Sequence, residues 1–297
     1  MMSSDAIAWN EIERHLGALR KTDGGFTAAL RGLVTLPGGR EVFVKIGTDD
    51  LTRSWARREV NAYWFLKRAG YPFIPRLLST NTDATGFAIE ALTPAEGWDW
   101  SFKWTEVRLM KTLEAMDALA ALPVSGPDCA YFSEEIISEK DDGWQQLMVS
   151  IRRRAVLVKR LKMTGEDELA RSLDFEAMAE KSAKFRFAGN KLVHNDLRAD
   201  NCPWHPRRRQ VKLIDWNQLQ LGDRRIDLAA TLVHVHKSGL NVLRHCRARL
   251  DADALHWMAG FFFDRATRPV WSGGPEHLRR MHLESAIVAY RLWQAVR

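Results

Sequence analysis

The segments LVHNDLRADN, residues 192–201, and VKLID, residues 211–215, decide how the rest of this chain is read. Leu192 and Val193 lead into a loop dense in His, Asp and Asn. After a turn, Val211, Leu213 and Ile214 read as a buried strand ending in Asp215. A carboxylate at the exit of an apolar strand stands at the rim of a pocket. The hairpin brings Asn201 and Asp215 together at its open ends. An Asp carboxylate with an Asn carbonyl makes a sparse all-oxygen site suited to Mg²⁺, which takes few protein ligands and completes its shell with phosphate and water. Asp196 precedes Asn201 by five residues. It falls beside such a metal, where a carboxylate can accept a hydroxyl proton.

Upstream, VFVK at residues 42–45 places Lys45 on a strand with apolar neighbours on both sides. Burying an ammonium there is costly unless it meets an anion. Lys45 is therefore a candidate for the α- and β-phosphates of a nucleotide, and Glu59 on the following helix is its natural salt-bridge partner. The pattern before residue 93 predicts a helix over 5–16, strands near 18–21, 30–36 and 41–46, a helix over 51–68, then strands over 73–79 and 85–92. At TPAEG, residues 93–97, the character changes, which sets a boundary between a first domain, 1–92, and a second, 93–297. Beyond it helices are expected over 105–122, 143–163, 166–186, 224–238, 252–265 and 275–295.

These motifs resemble those of the aminoglycoside phosphotransferase family, a branch of the kinase-like fold that includes choline, homoserine and fructosamine kinases. The resemblance spans residues 45 to about 230 and rests on VFVK, on RRE ending at Glu59, on LVHND with Asn201, on IDW from residue 214 and on GDRRIDLA from residue 222. It implies an α+β, two-lobed fold: a small N-terminal lobe with a five-stranded antiparallel sheet, a larger mainly helical C-terminal lobe, and a nucleotide between them. It implies that Lys45 binds nucleotide phosphates and Glu59 orients it. Asp196 is then the catalytic Asp, and Asn201 with Asp215 holds Mg²⁺. His194 organises the loop, Asp227 braces it, and the backbone of Glu90, Ala91 and Leu92 pairs with the base of ATP or GTP. Gly24 and Gly25 match the phosphate-covering loop only loosely, for they lack the G-x-G-x-x-G spacing. The chain departs from the family at Asn195 and Arg198, where His-Gly-Asp-Leu-His is common, and at Arg224, where Pro is common. Arg198 adds positive charge beside the acceptor. The absence of D-F-G and A-P-E argues against a eukaryotic protein kinase.

Composition is that of an ordinary globular chain. The 297 residues suggest two domains or one two-lobed unit. Three widely spaced cysteines make neither a disulfide framework nor a metal knuckle, so a reducing cytoplasm is expected. No secretory signal and no long apolar span are visible. The net charge of +7 raises a nucleic-acid partner. The basic run at 151–162, however, reads as a helix with a solvated basic face, its apolar side at Ile151, Ala155, Val158 and Leu161. The expected activity is transfer of the γ-phosphoryl of a nucleoside triphosphate to a hydroxyl of an aminoglycoside-like, amino-alcohol or sugar acceptor. The alternative is a catalytically silent nucleotide-binding module of the same fold. For a polycationic acceptor, Glu134, Glu135, Glu139, Asp141 and Asp142 are the candidate carboxylates, but this connector reads more readily as a solvated acidic loop; Trp98, Trp100 and Trp104 are placed to stack on sugar rings or a quaternary ammonium, with lobe packing the slightly preferred role for them.

Overall fold

The computed structural model describes residues 7–22, 28–125, 131–132, 137–270, 275 and 277–297. Helix α1 (Trp9–Glu13) and a 3-10 turn (Leu16–Ala18) lead into strand β1 (Arg20–Lys21). Residues 5 and 6 of the expected first helix lie outside the described residues. Strands β2 (Leu30–Thr35) and β3 (Glu41–Ile46) form a hairpin. Its turn carries Gly38 and Gly39 at φ 85° and 82°. Two successive left-handed positions give the tight turn that matches strand twist, and glycine adopts them without a Cβ penalty.

After helix α2 (Asp50–Arg68), strands β4 (Leu77–Thr80) and β5 (Gly86–Glu90) complete an antiparallel sheet in the order β1-β2-β3-β5-β4. Strand alternation sorts the side chains of β3. Val42 and Val44 enter a small core with Ile12, Val34, Leu36, Leu78 and Ala88 on one face. Phe43 packs on the main core at the other face, and Lys45 shares its parity. Helix α2 lies on that side. Asp49 starts it with a capping box shared with Thr52, and it buries Glu59 among Val60, Tyr63 and Leu66.

The rest is mainly helical: α3 (Glu106–Ala120), α4 (Gly143–Val149), α5 (Ile151–Met163), α6 (Asp167–Ser172), α7 (Phe175–Ser182), α8 (Arg224–Lys237), α9 (Val242–His245), α10 (Ala252–Thr267) and α11 (Leu278–Val296). Between α7 and α8 run β6 (Lys191–Val193), the hairpin β7 (Trp204–His205) and β8 (Gln210–Val211), and β9 (Gln220–Gly222), which pairs with β6. One apolar core runs from Val60, Tyr63 and Leu66 of α2 through α3 into Trp257 and Phe263 of α10, so the sheet is fastened to the helical region by α2.

Three expectations are corrected. The helix expected over 143–163 breaks at Ser150, whose side chain accepts from the Arg153 N–H and caps α5. The helix expected over 166–186 breaks where Asp174 caps α7. On α5, Ile151 is 76% exposed while Leu157 and Leu161 are buried. The arginines turn inward instead: Arg153 meets Asp264 at 2.8 Å and Arg160 donates to the Ala266 carbonyl on α10. The basic run thus serves helix packing in part. Among the described residues no helix is long and apolar enough to cross a membrane.

Candidate active site

The structure brings Lys45, Glu59 and Asp215 together from three elements. The Lys45 Nζ lies 2.6 Å from Glu59 Oε2 and 2.7 Å from Asp215 Oδ1. Burial works against the ammonium, but Asp215 and then Glu59 outweigh it and hold its pKa above the ordinary value. Asp215 is likewise opposed by burial and held ionised by Lys45, below the usual carboxylate range. Glu59 carries the surplus: burial pushes its carboxyl up to about 7 against the pull of Lys45, with Asp215 adding to the rise. Asp215 sits at φ 65°, ψ 56°. That left-handed backbone costs a non-glycine residue free energy. Asp tolerates it better than most, and here it re-aims the carboxylate at the end of the strand-like run.

The loop at 194–201 is held from both sides. The Asp227 carboxylate, at the start of α8, accepts from the backbone N–H groups of His194 (3.2 Å) and Asn195 (2.8 Å). Burial still pushes the Asp227 carboxyl up to about 6. The His194 ring bridges Ile214 and Asp196: Nε2 is 2.9 Å from the Ile214 carbonyl, and Nδ1 is 3.4 Å from the Asp196 N–H. A carbonyl only accepts and an amide N–H only donates, so the proton belongs on Nε2. Burial holds this imidazole neutral, with its pKa pushed down to about 4. Asn195 is at φ 65° and donates from its side chain to the Gln218 carbonyl.

Asp196 is engaged at both oxygens. Arg198 pairs with Oδ1 at 2.8 Å, and the Asn201 amide reaches Oδ2 at 3.1 Å as well as the Asp196 carbonyl at 2.7 Å. Burial raises the Asp196 carboxyl to about 7, Arg198 opposing and Asp215 and Asp200 adding to the rise. Arg198 also grips both oxygens of Asp200. The Asn201 carbonyl accepts from the Ile214 N–H at 3.1 Å, which ties the loop to the residue before Asp215. With the Asn201 amide nitrogen committed to Asp196 and Asp215 Oδ1 to Lys45, the oxygens left are the Asn201 side-chain carbonyl and Asp215 Oδ2. Two oxygen donors of this kind fit Mg²⁺ that draws its other ligands from phosphate and water. Among the described residues no group of three or more His, Cys, Asp and Glu side chains is placed to hold a metal by itself.

A residue the motifs do not reveal underlies this loop. Arg108, fully buried near the start of α3, donates to the carbonyls of Ala199 (2.9 Å), Cys202 (2.8 Å), Ser101 (2.8 Å) and Lys103 (2.9 Å). Its guanidinium covers the Trp104 ring at 4.6 Å. Cys202 is buried beside it, and burial pushes its thiol up to about 12. Among the tryptophans, Trp98 packs edge-on to His205 and is buried. Trp100 donates from Nε1 to the Leu92 carbonyl at 2.6 Å. Glu90 ends β5 and Ala91 and Leu92 follow it, both buried. Gly24, Gly25, Glu134 and Glu135 lie outside the described residues. Of the other connector acids, Asp141 pairs with Arg265 at 3.0 Å, and Asp142 is buried as the cap of α4 and accepts from Ser182.

A five-stranded antiparallel sheet joined through one helix to a helical region, with Lys45 bridged to Asp215, is the kinase-like fold. The chain belongs to the phosphotransferase enzyme family, whose model matches residues 23–261. An aminoglycoside phosphotransferase from Alicyclobacillus acidocaldarius superposes at a TM-score of 0.61 with 16% identity, covering 99% of this chain and 95% of that one. Choline kinase from Streptococcus pneumoniae superposes at 0.58 with 14% identity, over 95% and 97%. A spectinomycin phosphotransferase in complex with ADP and spectinomycin superposes at 0.54 with 11% identity, over 92% of each chain. No curated protein matches the sequence significantly. The resemblance read from the motifs is borne out for family and fold.

Proposed function

We propose that this protein transfers the γ-phosphoryl of a nucleoside triphosphate, ATP in the first instance, to the hydroxyl of a small molecule. In this reading residues 1–92 form the nucleotide-binding lobe and residues 93–297 the catalytic and acceptor lobe. The observation that carries it is the single constellation of Lys45, Glu59, Asp215, Asn201 and Asp196, in which one buried ammonium links the sheet to the end of the hairpin. Phosphoryl transfer calls for positioning and charge neutralisation more than covalent chemistry. Lys45 binds the nucleotide phosphates, and Glu59 orients it. Asp196 receives or orients the acceptor hydroxyl, held in place by Asn201 and Arg198. Asn201 and Asp215 would hold Mg²⁺, which when bound supplies further charge neutralisation on the phosphates. His194 and Asp227 fix the loop, and the backbone of residues 90–92 receives the base. The ADP-bound relative supports a nucleotide as the donor.

The acceptor classes open from sequence are an aminoglycoside-like molecule, an amino alcohol and a sugar. A polycation draws little support from Asp141 and Asp142, which are committed to Arg265 and to the α4 cap.

The test is mass spectrometry of wild type and Asp196→Ala, incubated with Mg²⁺, ATP or GTP and a panel of hydroxyl acceptors. Phosphorylated product is expected with wild type only, the variant losing at least about 10²-fold in turnover while its nucleotide affinity stays within about threefold. Equal turnover by Asp196→Ala sinks the assignment.

A further inference from the structure

The basic run of α5 is only half spent on the fold. Residues 143–165 hold six cations and no acid. Three of the cations turn inward. Arg153 meets Asp264, Arg160 donates to the Ala266 carbonyl, and Arg154 donates to the Met148 carbonyl and covers the Phe175 ring at 5.8 Å. The other three, Arg152, Lys159 and Lys162, are exposed, and none has a side-chain partner among the described residues. A helix turns by about 100° per residue, so Ile151, Arg152, Ala155, Lys159, Lys162 and Met163 share one face, opposite the buried Leu157 and Leu161. All six are exposed. Val149 adds a further aliphatic side chain on the other side of the break at Ser150. Val149 is 72% exposed, Ile151 76% and Met163 75%. The first acids past the helix, Glu166, Asp167 and Glu168, come after Gly165, and Glu166 is taken by Arg291 at 2.8 Å. The outer side of α5 thus joins three uncompensated cations to aliphatic side chains that stand in water.

We propose that this face docks on an anionic lipid bilayer, with Val149 and Ile151 entering the headgroup layer and Arg152, Lys159 and Lys162 meeting the lipid anions. The chemistry selects that occupant. Charge complementarity asks for a surface dense in anions. A nucleic-acid duplex offers phosphates but nothing for the aliphatic side chains to meet. A protein interface draws its core from aromatic residues, Met and Arg and is poor in Lys, and this face carries no aromatic ring. A bilayer surface suits both halves. The aliphatic side chains leave water, while Lys and Arg lay their stems along the apolar layer and keep their charges at the polar surface. The attachment is peripheral and stands independently of the kinase reading.

The experiment is sedimentation of the full chain with vesicles of equal parts phosphatidylserine and phosphatidylcholine, against vesicles of phosphatidylcholine alone. Wild type is expected to pellet with the anionic vesicles only at about 0.15 M salt, and to be largely released at about 1 M, where the Debye length is about 3 Å. Val149→Ser with Ile151→Ser should lower the partition coefficient about tenfold, as two aliphatic side chains moved part-way out of water imply. Lys159→Gln with Lys162→Gln should lower it about fivefold for each cation removed. Arg207→Gln with Arg208→Gln removes the same charge from the exposed β7–β8 turn, and should leave the partition within about twofold. A thermal midpoint like that of wild type shows that each variant is folded; Ile151→Ser alone and Arg152→Gln alone serve if a pair is not. The proposal is overturned if the protein ignores anionic vesicles, pellets equally with both kinds, or loses as much with Arg207 and Arg208 as with Lys159 and Lys162. Tighter binding to a DNA duplex than to vesicles, or a partition indifferent to Val149 and Ile151, overturns it too, for the face then reads phosphates alone.

Discussion

At the scale of single residues, one ammonium answers for two carboxylates. Lys45→Met leaves Glu59 and Asp215 facing each other without a cation in a site where Glu59 is nearly sealed. Removing one partner of a buried pair strands the other, at about 3–5 kcal/mol. Urea unfolding of metal-free Lys45→Met is expected to show a loss of that order, and titration with ADP a clear fall in affinity. Glu59→Gln keeps the shape and should cost less than half as much. Arg108→Met is the second case. It removes a donor from four backbone carbonyls, of which that of Ala199 keeps the Cys202 N–H, and with partial rehydration of the rest the cost is about 3 kcal/mol. Because two of those carbonyls flank Asn201, turnover should fall more than nucleotide affinity does, and a reversed order would remove Arg108 from the support of the loop. The contrast explains what the sequence discloses. Lys45, Asp196, Asn201 and Asp215 stand at fixed spacings next to apolar strands, so local pattern finds them. Arg108 follows Thr105 and Glu106 at a helix start and has the look of a solvated charge. Its buried partners lie some ninety residues away, and no local pattern encodes them.

At the scale of elements, helix existence was readable and helix continuity was not. Ser150 and Asp174 lie inside runs with helical periodicity, where short polar side chains pass for surface positions. Their capping bonds appear only when the chain turns to lay α5 and α7 against their neighbours. The packing of α4 on α10 sets the tolerance of this layer. A Cβ on Gly143 would overlap the Gly260 carbonyl, and one on Gly260 would overlap the Trp144 ring. Backbone cannot yield as a side-chain tip can. Gly143→Val is therefore expected to lower stability by about 2 kcal/mol or more, read as a reduced denaturant midpoint. An unchanged midpoint would mean that α4 slides without loss. The five-stranded sheet was legible because its turns carry their own chemistry, as at Gly38 and Gly39. Only its ends shifted: β4 begins at Leu77, not at residue 73, because residues 73–76 run as irregular chain before pairing starts.

For the whole molecule, the buried titratable groups set an acid limit. His194 and His256 are pushed down to about 4 and His234 and His282 to about 3, burial being the first cause in each. The unfolded chain protonates these imidazoles near 6.5 while the folded one does not, so their contribution is present above pH 6.5 and is lost as pH falls. The raised carboxyls of Glu59, Asp196 and Asp227 act in the opposite sense, since the folded state then takes up protons that the unfolded state releases. The depressed groups His236, Asp215 and Asp223 act with the four imidazoles, and raised Asp142 with the three carboxyls; the larger set is the depressed one, so stability of the metal-free protein should fall as pH drops from 6 to 4. A thermal midpoint that rises or stays level from pH 6 to pH 4 would show that the carboxyls dominate. The succession of a five-stranded antiparallel sheet and a mainly helical region was readable from the order of strand and helix signals.

The depth of Cys202 has a chemical consequence for the loop it follows. Only thiolate attacks electrophiles, and a thiol raised to about 12 is ionised at neutral pH in about one molecule in 10⁵. The sulfur next to Asn201 is therefore chemically quiet. Iodoacetamide or dilute peroxide applied to the native protein should leave the peptide that contains Cys202 at its unmodified mass, and the same reagents should label it fully in urea. Labelling of the native form at the unfolded rate would mean that the loop opens far more often than its hydrogen bonds allow. A loop built this way keeps its geometry through oxidative stress without a protective partner for its cysteine.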